Sequence, residues 1–267
     1  MFPTLVRIGN FELTTFGLMM FLAFVIGGWV LTVQFRRYGL PDELASTMVM
    51  VGAVGGVVGA KIYYAILFRD WHLLFDRAGL VWYGGLIGGV ITASWAVLRA
   101  RVDYLTAGDG AAPAMAIGYA LGRIGCFLVG DDYGAPTNSW VGVAFPKGSP
   151  PTTAQSLREF GVHVDPSIPA DQVLRVHPTQ LYESAAAFVM FAILMWMNRR
   201  PHPRGRAFGG FFVMLGIERF LEKIVRAKDD RFLGPFTIAQ LFSVMAIMVG
   251  LYLVTRRGSL IVQEESS

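Results

Sequence analysis

The sequence predicts an all-α integral membrane protein of about seven spanning helices with a small extracytoplasmic subdomain. Three observations carry this reading. Of 267 residues, 54% are hydrophobic and only 16% charged, against roughly 25% charged in a soluble domain. Apolar runs long enough to cross a bilayer recur along the chain, divided by short charged or glycine- and proline-rich stretches. Basic residues gather just beyond the ends of alternate runs, as in a polytopic membrane protein.

The first run, 13–35, ends at Arg36 and Arg37. Residues 1–10 carry one basic residue and no small-residue cleavage site follows, so this run is expected to be a retained span rather than a signal peptide. The second, 44–68, contains Gly52, Gly55, Gly56 and Gly59, a surface of small residues on which another helix can pack closely. Residues 69–79 mix charges with Trp71, Leu73, Leu74 and Phe75, which suits either a short segment in the membrane interface or a plain loop. The third run, 83–98, ends at Arg99 and Arg101, and the fourth covers 111–129. Residues 131–176 are polar and rich in Pro and Gly, with Trp140, Val141, Val143 and Phe145 spaced like a short strand, so they form the expected extracytoplasmic insertion. Runs at 179–198, 207–225 and 235–254 complete a single membrane domain over 1–267.

If the spans alternate, Arg36, Arg37, Arg99, Arg101, Arg199, Arg200, Arg204, Arg206, Arg256 and Arg257 share one side, the cytoplasm. The N-terminus then lies outside and the C-terminus inside. Membrane flanks account for the net charge of +4 better than nucleic acid does, so no nucleic-acid partner is expected. The single cysteine cannot form an internal disulfide. With no dense His/Cys cluster, neither a metal nor a cofactor is expected. The absence of a clear internal repeat speaks against a repeat-built transporter.

Three polar sets lie near the outer ends of the predicted spans. In residues 122–134, Arg123 closes an apolar run and Asp131 and Asp132 follow, among glycines at 122, 125, 130 and 134. An unpaired charge near the bilayer edge costs about 2.5–3.5 kcal/mol or more, so Arg123 needs a partner or a ligand. In His177-Pro178-Thr179-Gln180-Leu181-Tyr182-Glu183, a helix starting at Pro178 puts Gln180, Glu183 and Ser184 on one face with His177 at its mouth. In Glu218-Arg219-Phe220-Leu221-Glu222-Lys223, the residues Arg219, Glu222 and Arg226 fall on one face. These charges either pair to hold the helices in register, as intramembrane charges mostly do, or converge on a ligand. A guanidinium is a planar fork for phosphate oxygens. Arg123 and Arg219 therefore suit a phospholipid headgroup, and a carboxylate or imidazole nearby can take a proton, which together equip a site for transfer chemistry on a lipid.

The chain resembles the bacterial prolipoprotein diacylglyceryl transferases. The family's Arg-x-Gly-Asn-Phe-x-x-Gly, followed by an acid and a second glycine, is similar to Arg123, Gly125, Phe127, Gly130, Asp131 and Gly134, with Cys126 in the place of Asn. Residues 177–183 are similar to its His-Pro-Ser-Gln-Leu-Tyr-Glu. Gly84-Gly85-Leu86-Ile87-Gly88 looks like its His-Gly-Gly-Leu-Ile-Gly, and Arg219-Phe220, Gly234-Pro235 and Gln240-Leu241 match its last two spans. The resemblance implies transfer of the diacylglyceryl group of phosphatidylglycerol to the lipobox cysteine of a preprolipoprotein, with release of glycerol phosphate. The setting would be the bacterial inner membrane, with preprolipoprotein signal peptides and membrane lipids as partners. Catalytic roles are expected for Arg123, Arg219, Asp131, His177 and Tyr83, and substrate contacts from Gly84, Gly85, Cys126, Gly130, Gly134, Gln180, Glu183, Glu222 and Arg226.

Three departures bear on the chemistry. Tyr83 stands where the family has a functionally important histidine, and a phenol, ordinarily of pKa about 10, is a poor base. It either binds a headgroup or is an interfacial aromatic. Cys126 replaces an amide and either joins the site or is a small buried residue. Glu222 lies one position before the family's acid, which is Lys223 here, and one step turns a side chain about 100° around a helix. A thiol of pKa about 8.5 needs a base, for which Asp131, His177 and Glu183 are candidates. Asp131 is favoured because it holds the family's acidic position, and His177 could equally cap a helix. The alternative function is a diverged relative that binds phospholipid or lipoprotein without this catalysis.

Overall fold

In lipid a spanning segment must satisfy its own backbone groups, and a helix does so within one segment. The computed structural model describes residues 4–8, 11–75, 79–225, 231–233 and 236–261, and it is mostly helical. A hairpin of β1 (Thr4–Ile8) and β2 (Phe11–Thr14) leads into α1 (Thr15–Arg37). The Thr14 hydroxyl caps α1 by accepting from Gly17 N at 3.0 Å. Helix α2 (Asp42–Phe68) follows a tight turn in which Arg36 Nε donates to Asp42 Oδ2 at 2.7 Å. A short 3-10 helix, Trp71–Phe75, occupies the segment left open between interfacial element and loop. Then come α3 (Trp82–Arg99) and α4 (Tyr104–Val129), the latter capped by Asp103 on Thr106 N. After α4 the chain forms β3 (Val143–Ala144), α5 (Ala154–Glu159) and β4 (Arg175–Val176), before α6 (Thr179–Met197) and α7 (Arg206–Val225). A hairpin of β5 (Arg231–Leu233) and β6 (Phe236–Thr237) joins α7 to α8 (Ile238–Thr255).

Among the described residues, four helices are long and apolar enough to cross a membrane: Thr15–Arg37, Asp42–Phe68, Tyr104–Val129 and Thr179–Met197, with a shorter apolar helix at Ala239–Thr255. Their outward faces carry large apolar side chains, among them Phe21, Trp29, Met50, Val54, Val189 and Met248. Such faces are stable only against lipid or another apolar surface. The protein is an all-α membrane protein.

The glycines of α2 set its packing. Gly52, Gly55, Gly56 and Gly59 lie against Gly89, Gly88, Gly85 and Gly84 of α3, so the two helices run antiparallel with backbone on backbone. Thr92 Oγ1 crosses this seam to Val51 O at 2.8 Å. Gly84 and Gly85, expected to contact substrate, are placed here against α2. Helix α4 is central, packing on α1, α6 and α7, while α7 lies along α8.

At the start of α4, the buried Asp109 carboxylate accepts from Gly205 N at 2.6 Å and Phe208 N at 2.8 Å, capping α7 from a neighbouring helix. Asn198 Nδ2 ties Asp109 O to Gln34 Oε1, and Tyr38 Oη meets His202 Nε2 at 3.3 Å. Residues 131–176 fold on a separate core of Tyr133, Phe145, Ala154, Leu157, Val164 and Val176. Of the strand-like stretch Trp140 to Phe145, only Val143–Ala144 pairs, with Val176 and Arg175; Trp140 is fully turned out.

Candidate active site

Arg123 lies in the last two turns of α4, which stops because Gly130 takes up a left-handed φ of 77°. The turn brings the polar residues 131–134 back over the guanidinium. Arg123 Nη1 donates to Asp132 Oδ2 at 3.0 Å and lies 3.8 Å from Cys126 Sγ. Arg123 Nε is 2.8 Å from Glu183 Oε2 on α6. From α7, Arg219 Nη1 reaches the same oxygen at 3.3 Å, with Glu218 and Glu222 carboxylates at 3.8 and 3.9 Å from its guanidinium.

Tyr119, one turn before Arg123, closes the cluster from below. Its hydroxyl donates to Glu183 Oε2 at 2.7 Å and lies 3.2 and 3.3 Å from the two oxygens of Glu218. Both guanidiniums lie over its ring, Arg219 at 5.1 Å and Arg123 at 5.7 Å from the centroid, within the range of a cation–π contact. Glu183 is thus buried to 1% exposure with three donors on one oxygen, while its Oε1 has no hydrogen-bond partner among the described residues.

Gln180, one turn earlier on α6, is fully buried and donates through Nε2 to Asp131 O. Thr179 Oγ1 donates to Asp132 O at 2.9 Å. The start of α6 thereby fixes the 131–134 turn, as does Gly134 N donating to His177 O at 2.8 Å. Burial pushes the Asp131 carboxyl above its ordinary pKa, with the neighbouring Asp132 adding to the rise and Cys126 and Arg123 opposing it. Cys126, Asp131 and Asp132 bring a sulfur and two carboxylates within 4.8 Å of one another, the described group that could hold a cation. Arg123 Nη1, against both Cys126 and Asp132, supplies a positive charge there.

The family pattern described as prolipoprotein diacylglyceryl transferase matches residues 3–256. The chain belongs to the prolipoprotein diacylglyceryl transferase family. Relatives named phosphatidylglycerol–prolipoprotein diacylglyceryl transferase include that of Clostridium tetani, 27% identical over 94% of this chain and 95% of the relative. That of Geobacter sulfurreducens is 29% identical over 96% of both, and that of Xylella fastidiosa 30% identical over 94% of this chain and 91% of the relative. As a diacylglyceryl transferase, the protein is an enzyme of the inner membrane with several membrane-crossing helices.

Among the residues the sequence singled out, this diacylglyceryl transferase fold brings together Arg123, Arg219, Glu183, Glu222, Asp131, Gln180, Cys126, Gly130 and Gly134. His177 stands at the edge, its Nδ1 3.2 Å from Tyr182 Oη. It does not cap α6, whose N-cap is Pro178. Tyr83 is elsewhere: it is 53% exposed at the start of α3, its ring edge-on to Trp82 at 5.3 Å. Arg226 lies outside the described residues. Sequence reasoning missed Tyr119, and it placed Glu218 in the third polar set without giving it a role. Tyr119 sits four residues before Arg123, the spacing that stacks two side chains on one helix face, and that spacing was the available signal.

Proposed function

We infer that the protein transfers the diacylglyceryl group of phosphatidylglycerol to the lipobox cysteine of a prolipoprotein, recognised with its signal peptide. The observation that carries this is the meeting of two guanidiniums from α4 and α7 on one buried carboxylate oxygen. Glu183 holds Arg123 through Nε and Arg219 through Nη1, so the remaining guanidinium N–H groups are directed by a fixed anchor. A phosphodiester is the anion such a pair suits.

Asp131 takes the thiol proton, a role supported by its raised pKa and by Oδ1, which is buried without a hydrogen-bond partner among the described residues. The thiolate sulfur attacks the glyceryl carbon bearing the phosphate, a C–S bond forms, and the C–O bond breaks. Glycerol phosphate leaves with the electron pair, and the two arginines balance the charge it gains. Seven helices, α1 to α4 and α6 to α8, cross the membrane in this reading. The basic residues at 36–37, 99–101, 199–206 and 256–257 face the cytoplasm, and residues 131–176 lie outside with the site.

The test is transfer from phosphatidylglycerol with a labelled headgroup glycerol to a lipobox peptide, using purified protein and Arg123→Ala. Lipidated peptide with labelled glycerol phosphate, lost in the variant, is the expected result. A folded protein that binds the lipid and makes no product would instead be a diverged binding relative.

A further inference from the structure

We propose that Tyr119 is a positioning residue for the phosphate group of the lipid, holding Arg123 and Arg219 together as a single two-armed clamp. The proposal rests on the phosphatidylglycerol reading above. Two guanidiniums placed side by side repel each other, and something must keep them on one target. Glu183 Oε2 supplies the shared charge, but a single oxygen atom does not by itself fix the direction from which each guanidinium approaches. Tyr119 fixes it in two ways. Its hydroxyl is the third donor on Glu183 Oε2, at 2.7 Å the closest of the three. An oxygen accepting three donors has its lone-pair directions occupied, so neither arginine can close further onto it. Its ring, in turn, lies under both guanidiniums at 5.1 and 5.7 Å, a platform that attracts two cations without neutralising them.

The hydroxyl also spans both oxygens of Glu218 at 3.2 and 3.3 Å. Glu218 Oε2 is 3.8 Å from Arg219 Nε. Tyr119 therefore ties α4 to α6 through its hydroxyl on Glu183 and to α7 through its ring under Arg219, the three helices that carry the clamp. Without the hydroxyl, Arg123 and Arg219 are free to collapse onto Glu183 and withdraw from phosphate. Without the ring, they also lose their common floor.

The test measures KM for phosphatidylglycerol, KM for the lipobox peptide, kcat, and inhibition by free sn-glycerol phosphate in Tyr119→Phe and Tyr119→Leu. A hydrogen bond to a charged group is worth roughly tenfold or more in binding. The expected result for Tyr119→Phe is therefore a rise of about tenfold in the lipid KM and in the inhibition constant together, with the peptide KM unchanged. Tyr119→Leu should go further in the same two constants. Unchanged lipid KM and inhibition constant, or a peptide KM that rises in step with them, would overturn the proposal. Should Tyr119→Phe fail to fold, Tyr119→Trp keeps an aromatic floor under the two guanidiniums and removes the phenol that donates to Glu183 Oε2, and the same joint rise in lipid KM and inhibition constant is expected. An unchanged lipid KM in that variant would count against the proposal. Unsubstituted protein that transfers nothing from phosphatidylglycerol would overturn the function itself, a result separable from any behaviour of the variants.

Discussion

Arg123 and Arg219, on helices α4 and α7, meet on a single atom: Glu183 Oε2 lies 2.8 Å from Arg123 Nε and 3.3 Å from Arg219 Nη1. Glu183 comes from a third helix and is almost wholly buried. One carboxylate thereby offsets the desolvation of two cations and fixes three helices relative to one another. Its pairing also bears on the choice of base, because Glu183 Oε2 already accepts from two guanidiniums and a phenol. Asp131, on the turn beside Cys126 and not itself shared between the two guanidiniums, is better placed.

Replacing Glu183 by Gln removes the shared charge while keeping the side chain's shape. Breaking a buried ion pair from one side costs on the order of 3–5 kcal/mol, because the partner charge stays buried. The expected outcome is a marked fall in thermal unfolding temperature in detergent together with loss of lipid transfer. Retained stability with lost transfer would mean that the two arginines find other partners.

Asp131 gives a pH prediction with a definite sign. Burial raises its folded pKa, so the ionised form needed to accept a proton is depleted at higher pH than for an ordinary carboxylate. kcat/KM should therefore fall as pH drops through a value above the usual carboxylate range, and Asp131→Asn should remove both the activity and this acid limb. Stability runs the other way. A raised folded pKa means stability is fully present below the unfolded pKa and is lost as pH rises through the folded pKa. Asp131→Asn should accordingly raise the unfolding temperature at neutral pH and flatten its dependence on pH.

Helices and glycine seams were legible in the sequence because lipid leaves so few alternatives. A run such as 44–68 with four glycines on one side has to be a helix packed closely on another, and Gly52 to Gly59 meet α3 in that way. Arg123, Glu183 and Arg219 were legible as charges in apolar surroundings. Their mutual arrangement was not, since no local spacing links α4, α6 and α7. Tyr119 was hidden because an aromatic in an apolar run reads as a lipid contact, and although Arg123 is one turn away, its other partners Glu183 and Arg219 lie on α6 and α7. Gly84 and Gly85 carry a second reading that the motif does not show, since a side chain at either would meet α2. The apolar run at 111–129 also understated α4, which begins at Tyr104: Thr106 and Asp109 are polar, but both are buried and bonded inside the protein.

The glycines divide into two groups with opposite expected effects. A methyl group at Gly59 would meet Gly84 O and Gly88 Cα, backbone that can move only if the helices part. Gly59→Ala should destabilise by about 1–3 kcal/mol, the usual cost of overpacking. At Gly122 a methyl group meets nothing within 4 Å. Gly122→Ala should stabilise by about 0.5–1 kcal/mol through helix propensity alone. Unfolding of both variants in the same detergent measures the difference.

Asp109 caps α7 with a buried carboxylate, and Asp109→Ala strips two backbone N–H groups of their acceptor. A lost cap costs about 0.5–2 kcal/mol and an unsatisfied buried donor about 1–3 kcal/mol. Stability should drop by at least about 2 kcal/mol. Arg123 lies fourteen residues further along α4, about 21 Å away at 1.5 Å per residue, so the KM for lipid should stay near that of the unsubstituted protein in whatever fraction remains folded.

Tyr83 separates motif position from spatial position. It stands where the family carries a histidine of functional importance, yet it is half exposed on α3 beside Trp82, and its neighbours in α3 are occupied with α2. An exposed aromatic at the start of an apolar helix suits the membrane interface, where the ring is apolar and the hydroxyl wet. On this geometry Tyr83→Phe removes only an interfacial hydroxyl and should change kcat/KM for phosphatidylglycerol by less than about threefold. Arg123→Ala, in contrast, removes a charge that contacts both Glu183 and Asp132. If Tyr83→Phe instead lowered kcat without altering the lipid KM, the phenol would have to reach the reacting atoms during turnover. That would require α3 to move relative to α4, and a Gly59→Ala variant, which wedges α2 from α3, should then show the same loss.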